Sequence, residues 1–243
     1  MISKDKIVSL MDLTILGDND CEQDIANLCQ KADNKLGRVA ALCVHKQFIG
    51  LVKEKTYSEF GVATVINFPM GEANLQSVLA ETKQALALGA DEIDLVVDYK
   101  EYNRLGESPK SCEIVAAVKK LCGNRVLKVI IESGELHTQE LVKKASADAI
   151  QNGADFIKTS TGKSKTGATL KAAETMLSVI KKLDKNTGFK ASGGIRTYEE
   201  ACEYIKLAQN ILSEDFVKPA TFRFGVSGLL DNLLNDGEVK NGY

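Results

Sequence analysis

The sequence predicts an α/β fold, a (β/α)8 TIM barrel, and three observations carry that prediction. Short apolar runs alternate with longer amphipathic segments eight times over, the runs are rich in β-branched residues and nearly free of polar interruption, and the chain is 243 residues long. Runs of this texture suit parallel strands covered on both faces. Segments with apolar residues every three or four positions suit the helices that cover them. Eight strand–helix units in about 240 residues is the size of one such barrel. A doubly wound sheet is the alternative, but it usually carries a glycine-rich turn after its first strand. Here Asp12-Leu13-Thr14-Ile15-Leu16 has no glycine.

Taken in order, the first strand is expected at 10–16, where only Asp12 and Thr14 interrupt an apolar run, followed by a helix at about 20–31. The run Val-Ala-Ala-Leu-Cys-Val gives a strand at 39–44 and a helix at about 46–55. Strands at 62–68 and 92–98 precede helices at about 73–88 and 110–121. Strands at 127–132 and 156–160 precede helices at about 138–151 and 169–183. Strands at 188–191 and 222–226 precede helices at about 198–212 and 228–235, the last marked by the helical spacing of Leu229, Leu230, Leu233 and Leu234. Gly-Ala-Asp recurs at 89–91 and 153–155, each time between a helix and a strand. Glycine there fits the left-handed position at a helix C-terminus, and the recurrence implies repeated units of one kind.

No Pro-, Gly- or Ser-rich linker divides the chain, so 1–243 is expected to be a single barrel domain with a C-terminal tail at about 236–243. The longest stretch without a charged side chain is 12 residues, 60–71, against the 18 or so needed to span a bilayer. Asp12 breaks the only N-terminal apolar run, which argues against a signal peptide. The six cysteines form no compact framework, so reduced thiols and a cytoplasmic location are expected. A net charge of −2 argues against nucleic-acid binding. His45 and His137 are isolated and read as loop or helix-start residues, so no metal site and no cofactor are expected.

Charged residues inside apolar strands are the unusual feature. Lys158 lies in Asp155-Phe-Ile-Lys158, Lys190 in Gly188-Phe-Lys190, and Asp94 in Asp91-Glu-Ile-Asp94. Lys128 and Glu132 are four apart and are expected on one strand face. In a barrel these charges line the interior, where burial is costly unless they are paired. One reading is an ion network that only fixes strand register. The other is chemistry, because active sites form at the C-terminal ends of barrel strands. An amine that is desolvated and placed beside a second cation loses proton affinity. Once neutral it can attack a carbonyl and form a Schiff base. Lys158 and Lys190 fit such a pair, with Asp94 moving protons.

Glycine-containing segments follow the last three predicted strands, at Thr161-Gly162-Lys163, Ser192-Gly193-Gly194-Ile195-Arg196 and Gly225-Val226-Ser227-Gly228. Any one of them alone reads as an ordinary turn. Three at successive strand ends, with Lys163 and Arg196 beside them, point to a phosphate site built from backbone N–H groups and helix N-termini.

Together these segments resemble the deoxyribose-phosphate aldolase family of class I aldolases. The resemblance runs from Leu10-Met-Asp-Leu-Thr14 to Phe222-Arg-Phe-Gly-Val-Ser227. It rests jointly on Asp91-Glu-Ile-Asp94, Lys128-Val-Ile-Ile-Glu-Ser-Gly-Glu-Leu136, Phe156-Ile-Lys-Thr-Ser-Thr-Gly-Lys163 and Gly188-Phe-Lys-Ala-Ser-Gly-Gly-Ile-Arg196. It implies that Lys158 forms the Schiff base and that Asp94 and Lys190 assist proton transfer. The implied reaction is reversible cleavage of 2-deoxy-D-ribose 5-phosphate to D-glyceraldehyde 3-phosphate and acetaldehyde, in deoxynucleoside catabolism. It further implies a proton-transfer role for the terminal Tyr243, a phosphorylated small-molecule partner and a possible homodimer. Asp12, Thr14 and Lys128 join Gly162, Lys163, Gly193, Gly194, Arg196, Ser227 and Gly228 as the expected substrate-binding set. Gly228 stands where several relatives carry a second serine, so one hydroxyl contact to phosphate is expected to be missing. Asp98 reads as a solvated loop charge, and Cys43 as a buried, inert thiol. A transaldolase, a keto-acid aldolase or a non-catalytic sugar-phosphate sensor would share part of this pattern. None of them needs all of it.

Overall fold

The structure is a computed structural model describing residues 1–235. Eight strands close into a barrel: β1 (Met11–Thr14), β2 (Ala41–Val44), β3 (Gly61–Ile66), β4 (Glu92–Val96), β5 (Val126–Ile130), β6 (Phe156–Lys158), β7 (Gly188–Ser192) and β8 (Phe222–Val226). Each pairs in parallel with its neighbours in sequence, and β1 closes the ring on β8. A helix follows each strand: α1 (Glu22–Lys31), α2 (Ile49–Lys55), α3 (Leu75–Ala87), α4 (Pro109–Cys122), α5 (Gln139–Gln151), α6 (Leu170–Leu183), α7 (Tyr198–Ile211) and α8 (Leu229–Leu234). The predicted TIM barrel is therefore what the chain forms. The expected tail at about 236–243, Tyr243 included, lies outside the described residues.

The helices begin at side chains suited to the task. The side chains of Asn74, Ser108, Thr138, Thr169 and Thr197 accept hydrogen bonds from the first-turn N–H groups of α3, α4, α5, α6 and α7, each satisfying a donor that the helix leaves open. Strand alternation then sorts the side chains. In β8, Phe222 and Phe224 join the apolar layer between sheet and helices, where the Phe222 ring packs 5.8 Å from Phe189 and 5.0 Å from Phe224. Arg223, between them, points to the barrel axis and reaches Asp12 on β1 and Glu92 on β4.

The repeated Gly-Ala-Asp has a physical basis. Gly89 and Gly153 sit at φ of +97° and +96°, and in each case a lysine stem lies 3.1 Å from where a Cβ would stand, Lys53 in one unit and Lys119 in the other. The aspartate that follows reaches back to the preceding strand. Asp91 Oδ2 accepts from the Val62 N–H at 2.9 Å and from Lys53 Nζ at 3.0 Å. Asp155 Oδ2 accepts from the Leu127 N–H at 2.7 Å and from Lys119 Nζ at 2.6 Å.

The structure differs from the sequence expectation at several points. A helix at Lys4–Ser9 precedes β1 and buries Ile7 and Val8. A two-stranded antiparallel ribbon pairs Asp33–Asn34 with Gly37–Arg38. A further helix, Tyr99–Leu105, stands between β4 and α4, started by Asp98 and stopped by Gly106 at φ +81°. Asp98 is consequently a helix cap: its Oδ1 accepts from the Glu101 N–H at 3.0 Å and its Oδ2 pairs with Lys110 at 3.1 Å. It is not the solvated loop charge the sequence suggested. Finally, β5 ends at Ile130, and Glu132 has left-handed backbone, φ +49°. Lys128 and Glu132 therefore do not share a strand face.

Asp155→Ala should lower the free energy of unfolding in urea by about 1–3 kcal/mol, the usual cost of leaving such bonds unmade. A loss below about 0.5 kcal/mol, ordinary for a surface change, would show that Asp155 does not fasten β5 to β6.

Candidate active site

Six strands send charged side chains into the barrel, and almost all are sealed from water: Asp12 on β1, Glu92 and Asp94 on β4, Lys128 on β5, Lys158 on β6, Lys190 on β7 and Arg223 on β8. Register brings them together. Lys158 pairs level with Lys190, and Lys190 level with Arg223, while Asp94 pairs level with Lys128. Lys128 is level with Phe156, two residues before Lys158, which places it roughly 6–7 Å deeper along the strand direction.

The ion pairs share their oxygens. Asp94 Oδ2 accepts from Lys158 Nζ at 2.7 Å and from Lys190 Nζ at 2.8 Å, and Asp94 Oδ1 accepts from Lys128 Nζ at 2.8 Å. Lys190 also donates to Asp12 Oδ2 at 2.5 Å. Arg223 holds the other side of Asp12 through Nη1 at 2.5 Å and Glu92 Oε1 through Nη2 at 3.2 Å. Lys128 additionally pairs with Glu92 and lies 3.4 Å from Asp12. Three carboxylates thus face four cationic side chains. Removing one proton brings the cluster to neutrality, the cheapest state for charges held out of water.

Lys158 is the side chain placed to lose that proton. Burial lowers its proton affinity, Asp94 opposes the shift, and the Lys190 ammonium adds to it, leaving the amine below the ordinary lysine value. Burial acts on Lys190 and Lys128 in the same sense. For Lys190, Asp12 and Asp94 outweigh it; for Lys128, Asp94, Glu92 and Asp12 do so, and both stay above the ordinary value. Asp94 is destabilised as an anion by burial, yet Lys128, Lys158 and Lys190 together hold it well below the usual carboxylate range. The arrangement supplies an amine of lowered proton affinity, a second amine of raised affinity 2.8 Å from the same carboxylate oxygen, and a carboxylate between them. That is a nucleophile with a short proton path.

Above the lysines opens a cavity of about 420 Å³, lined by Thr14, Gly162, Lys163, Gly193, Gly194, Arg196, Ser227 and Gly228 among others. The expected phosphate residues from three separate loops therefore line one space. Gly162, Gly193 and Gly194 have φ between +80° and +90°, a backbone that turns successive N–H groups into an anion-binding concavity. The cavity also meets the buried cluster. Gly225 lines it, and a Cβ there would stand 2.5 Å from Ser192 Oγ and 3.0 Å from Lys190 Cε. The Thr14 hydroxyl donates to the Asp12 carbonyl oxygen at 2.8 Å. Lys163 Nζ is 3.4 Å from the exposed Asp18. Gly228 caps α8 without a side-chain bond.

Asp12 and Lys128, like Asp94, Lys158 and Lys190, lie outside the lining of this cavity, and the charged atoms of Asp12 and Lys128 are taken up by the ion network. Arg223 and Glu92 went unassigned in the sequence. The available signals were an arginine between two phenylalanines and a glutamate two residues before Asp94, both implying an inward face. Cys43 clusters with Leu16, Ala63, Val65 and Phe68, apart from the main apolar core. It is buried as expected, and burial raises its thiol pKa, with a further contribution from Asp94. His45 and His137 precede the first turns of helical segments. Among the described residues no group of three His, Cys, Asp or Glu side chains is placed to hold a metal ion, and no helix is long and apolar enough to cross a membrane.

Comparison with known proteins gives concordant matches. The family model described as DeoC/LacD family aldolase matches residues 6–233. The chain is 46% identical over 235 residues to the deoxyribose-phosphate aldolase of Agrobacterium fabrum strain C58, covering 94% of this chain and 89% of that protein. Among solved structures, the tetrameric deoxyribose phosphate aldolase from Aeropyrum pernix superposes with a TM-score of 0.79 at 26% identity, over 98% of this chain and 93% of that one. An apo-form chain from Toxoplasma gondii ME49 superposes at 0.87 with 24% identity, over 98% and 96% of the two chains, a likeness of fold.

Lys190→Met removes a cation that depresses Lys158 and leaves Asp94 Oδ2 to pair with Lys158 alone. Both changes raise the Lys158 pKa. Reductive methylation followed by peptide mass mapping should show the Lys158 labelling profile moving to higher pH in this variant. An unmoved profile would mean that Lys190 does not tune the amine.

Proposed function

The chain belongs to the DeoC/LacD family of aldolases, and from that premise we propose that it is a class I aldolase acting on 2-deoxy-D-ribose 5-phosphate, reversibly yielding D-glyceraldehyde 3-phosphate and acetaldehyde. The observation that carries this reading is Lys158: in the interior network it is the lysine with lowered proton affinity, and it shares Asp94 Oδ2 with Lys190, which packs against Gly225 in the wall of the glycine-rich cavity. The neutral Nζ attacks the C1 carbonyl carbon of the open-chain sugar, and the carbinolamine loses water to give an iminium. The C3 hydroxyl then gives up its proton and the C2–C3 bond breaks. Its electron pair flows into the iminium and leaves an enamine, and the C3 carbon departs as the aldehyde of glyceraldehyde 3-phosphate. Protonation at C2 and hydrolysis of the resulting iminium release acetaldehyde and restore Lys158.

In this reading Asp94 and Lys190 carry protons between Nζ, water and the bound intermediates. Their separations from the amine suit direct or single-water transfer. Gly162, Gly193, Gly194 and Gly228 offer backbone N–H groups to the phosphate, with Lys163, Arg196 and Ser227 around them and Thr14 at the sugar end. Anchoring the far end of the substrate converts binding energy into orientation at C1. Asp12, Lys128, Glu92 and Arg223 hold the charged pair in place through the ion network. Tyr243 is assigned proton exchange at the acetaldehyde carbon. A cytoplasmic location and a homodimer belong to the same reading, and six free thiols fit a reducing compartment.

Borohydride reduction in the presence of 2-deoxyribose 5-phosphate should leave a stable adduct on Lys158, read by peptide mass mapping. Lys158→Met should form none and lose cleavage activity while keeping the wild-type melting temperature. An adduct on Lys190, or turnover by the Lys158 variant, would reverse the assignment. Deleting Tyr243 should slow hydrogen exchange at the acetaldehyde methyl group without changing phosphate affinity. An unchanged exchange rate leaves Tyr243 without a role.

A further inference from the structure

Glu132 is a charged residue of the interior that the mechanism does not use. It follows β5, is 1% exposed, and bonds to no lysine or arginine among the described residues. Every other carboxylate inside the barrel is paired with cations. Burial raises the Glu132 pKa, and hydrogen bonds from Thr161 and Ser164 oppose that shift. Its backbone is also left-handed, at φ +49°, which is unfavourable for a residue with a Cβ. A buried, unpaired carboxylate on an unfavourable backbone is destabilising unless its bonds return something of similar size.

All of those bonds go to one loop. Glu132 Oε2 accepts from the Thr161 N–H at 3.2 Å and from Thr161 Oγ1 at 2.5 Å, and Oε1 accepts from Ser164 Oγ at 3.0 Å. Residues 161 and 164 bracket Gly162 and Lys163, the part of the phosphate cavity supplied by the β6–α6 connection. The positioning extends inward, because the Lys163 N–H donates to Thr161 Oγ1 at 3.0 Å. The next stretch of the loop is pressed against the neighbouring one: the Ala168 N–H donates to the Gly193 carbonyl oxygen at 2.9 Å, and a Cβ on Gly167 would stand 2.3 Å from that oxygen. The loop is thus held at one end by Glu132 and at the other by the Gly193 backbone.

We propose that Glu132 is a positioning residue for phosphate recognition, fixing the Thr161–Ser164 turn so that the Gly162 backbone and the Lys163 side chain face the substrate's phosphate. It touches no reacting atom, and its effect falls on selectivity for the phosphorylated sugar. The inference rests on the phosphate-cavity reading given above.

The test compares kcat and KM for 2-deoxyribose 5-phosphate and unphosphorylated 2-deoxyribose in wild type, Glu132→Ala and Glu132→Gln, with melting temperatures recorded. Glu132→Ala should reduce the kcat/KM preference for the 5-phosphate by about 10- to 100-fold, mostly through KM, as expected for losing hydrogen bonds to a charged acceptor. Glu132→Gln, which keeps an acceptor for Thr161 and a donor for Ser164, should stay within about threefold of wild type. Equal losses on both sugars, or an unchanged preference in the alanine variant, would overturn the inference. A wild-type enzyme indifferent to the phosphate would instead sink the cavity reading on which it rests. Should Glu132→Ala fail to fold, Thr161→Val combined with Ser164→Ala removes both hydroxyl bonds from the loop side and leaves Glu132 only the Thr161 N–H. The same collapse of preference is then required, and its absence overturns the proposal.

Discussion

One carboxylate oxygen, Oδ2 of Asp94, accepts hydrogen bonds from both Lys158 and Lys190, and the interior of the barrel is arranged around that shared acceptor. Two ammonium groups on one oxygen repel each other, and without water the repulsion is poorly screened. The pair is tolerable when one amine is neutral. The second partner of Lys190, Asp12, decides which one: it supports the Lys190 charge, and no such support is given to Lys158. The rest of the network extends the same logic, since Arg223 and Lys128 pair with Asp12, Glu92 and Asp94. The ion network and the reactive amine are one construction, so the register-fixing and catalytic readings of these charges do not compete.

The upper part of the interior is divided by chemistry. On the β2 and β3 side, Cys43, Ala63 and Val65 form an apolar patch with Leu16 and Phe68. On the opposite side, the loops after β6, β7 and β8 present glycine backbone and basic side chains around an open cavity. An apolar wall near the amine keeps water away and preserves its low proton affinity. The glycine side keeps its backbone clear of side chains, as Gly225 shows where Ser192 and Lys190 leave no room for a Cβ. The two ends suit a two-carbon aldehyde fragment at the amine and a phosphorylated fragment at the loops.

Much of the site was legible before any coordinates. Lysines and aspartates in the middle of β-branched runs are hard to explain except as inward-facing barrel residues, and Lys158, Lys190 and Asp94 meet as that pattern implied. The glycine loops were legible for a similar reason, since glycine at three successive strand ends, with a basic residue beside two of them, is a local property of the chain. What escaped was also local in part. Asp98 caps a short helix, yet at the end of a strand it resembles a loop charge. Glu132 looked like a strand partner of Lys128, because nothing in the run Lys-Val-Ile-Ile-Glu marks the left-handed turn that ends the strand pattern.

The sequence by itself determined the alternation of elements, the closed parallel barrel, and the residue types available at the ends of its strands, because periodicity and turn chemistry act between near neighbours in the chain. Only the tertiary structure decided which lysine has its proton affinity lowered, that Arg223 and Glu92 belong to the charge network, that Asp12 and Lys128 join the lysine pair in it, and that Glu132 grips the β6–α6 loop. Each of those outcomes depends on a distance between residues far apart in sequence, Asp12 from Lys190 or Asp94 from Lys158. The dielectric that gives those distances their energy exists only once the barrel has closed around them.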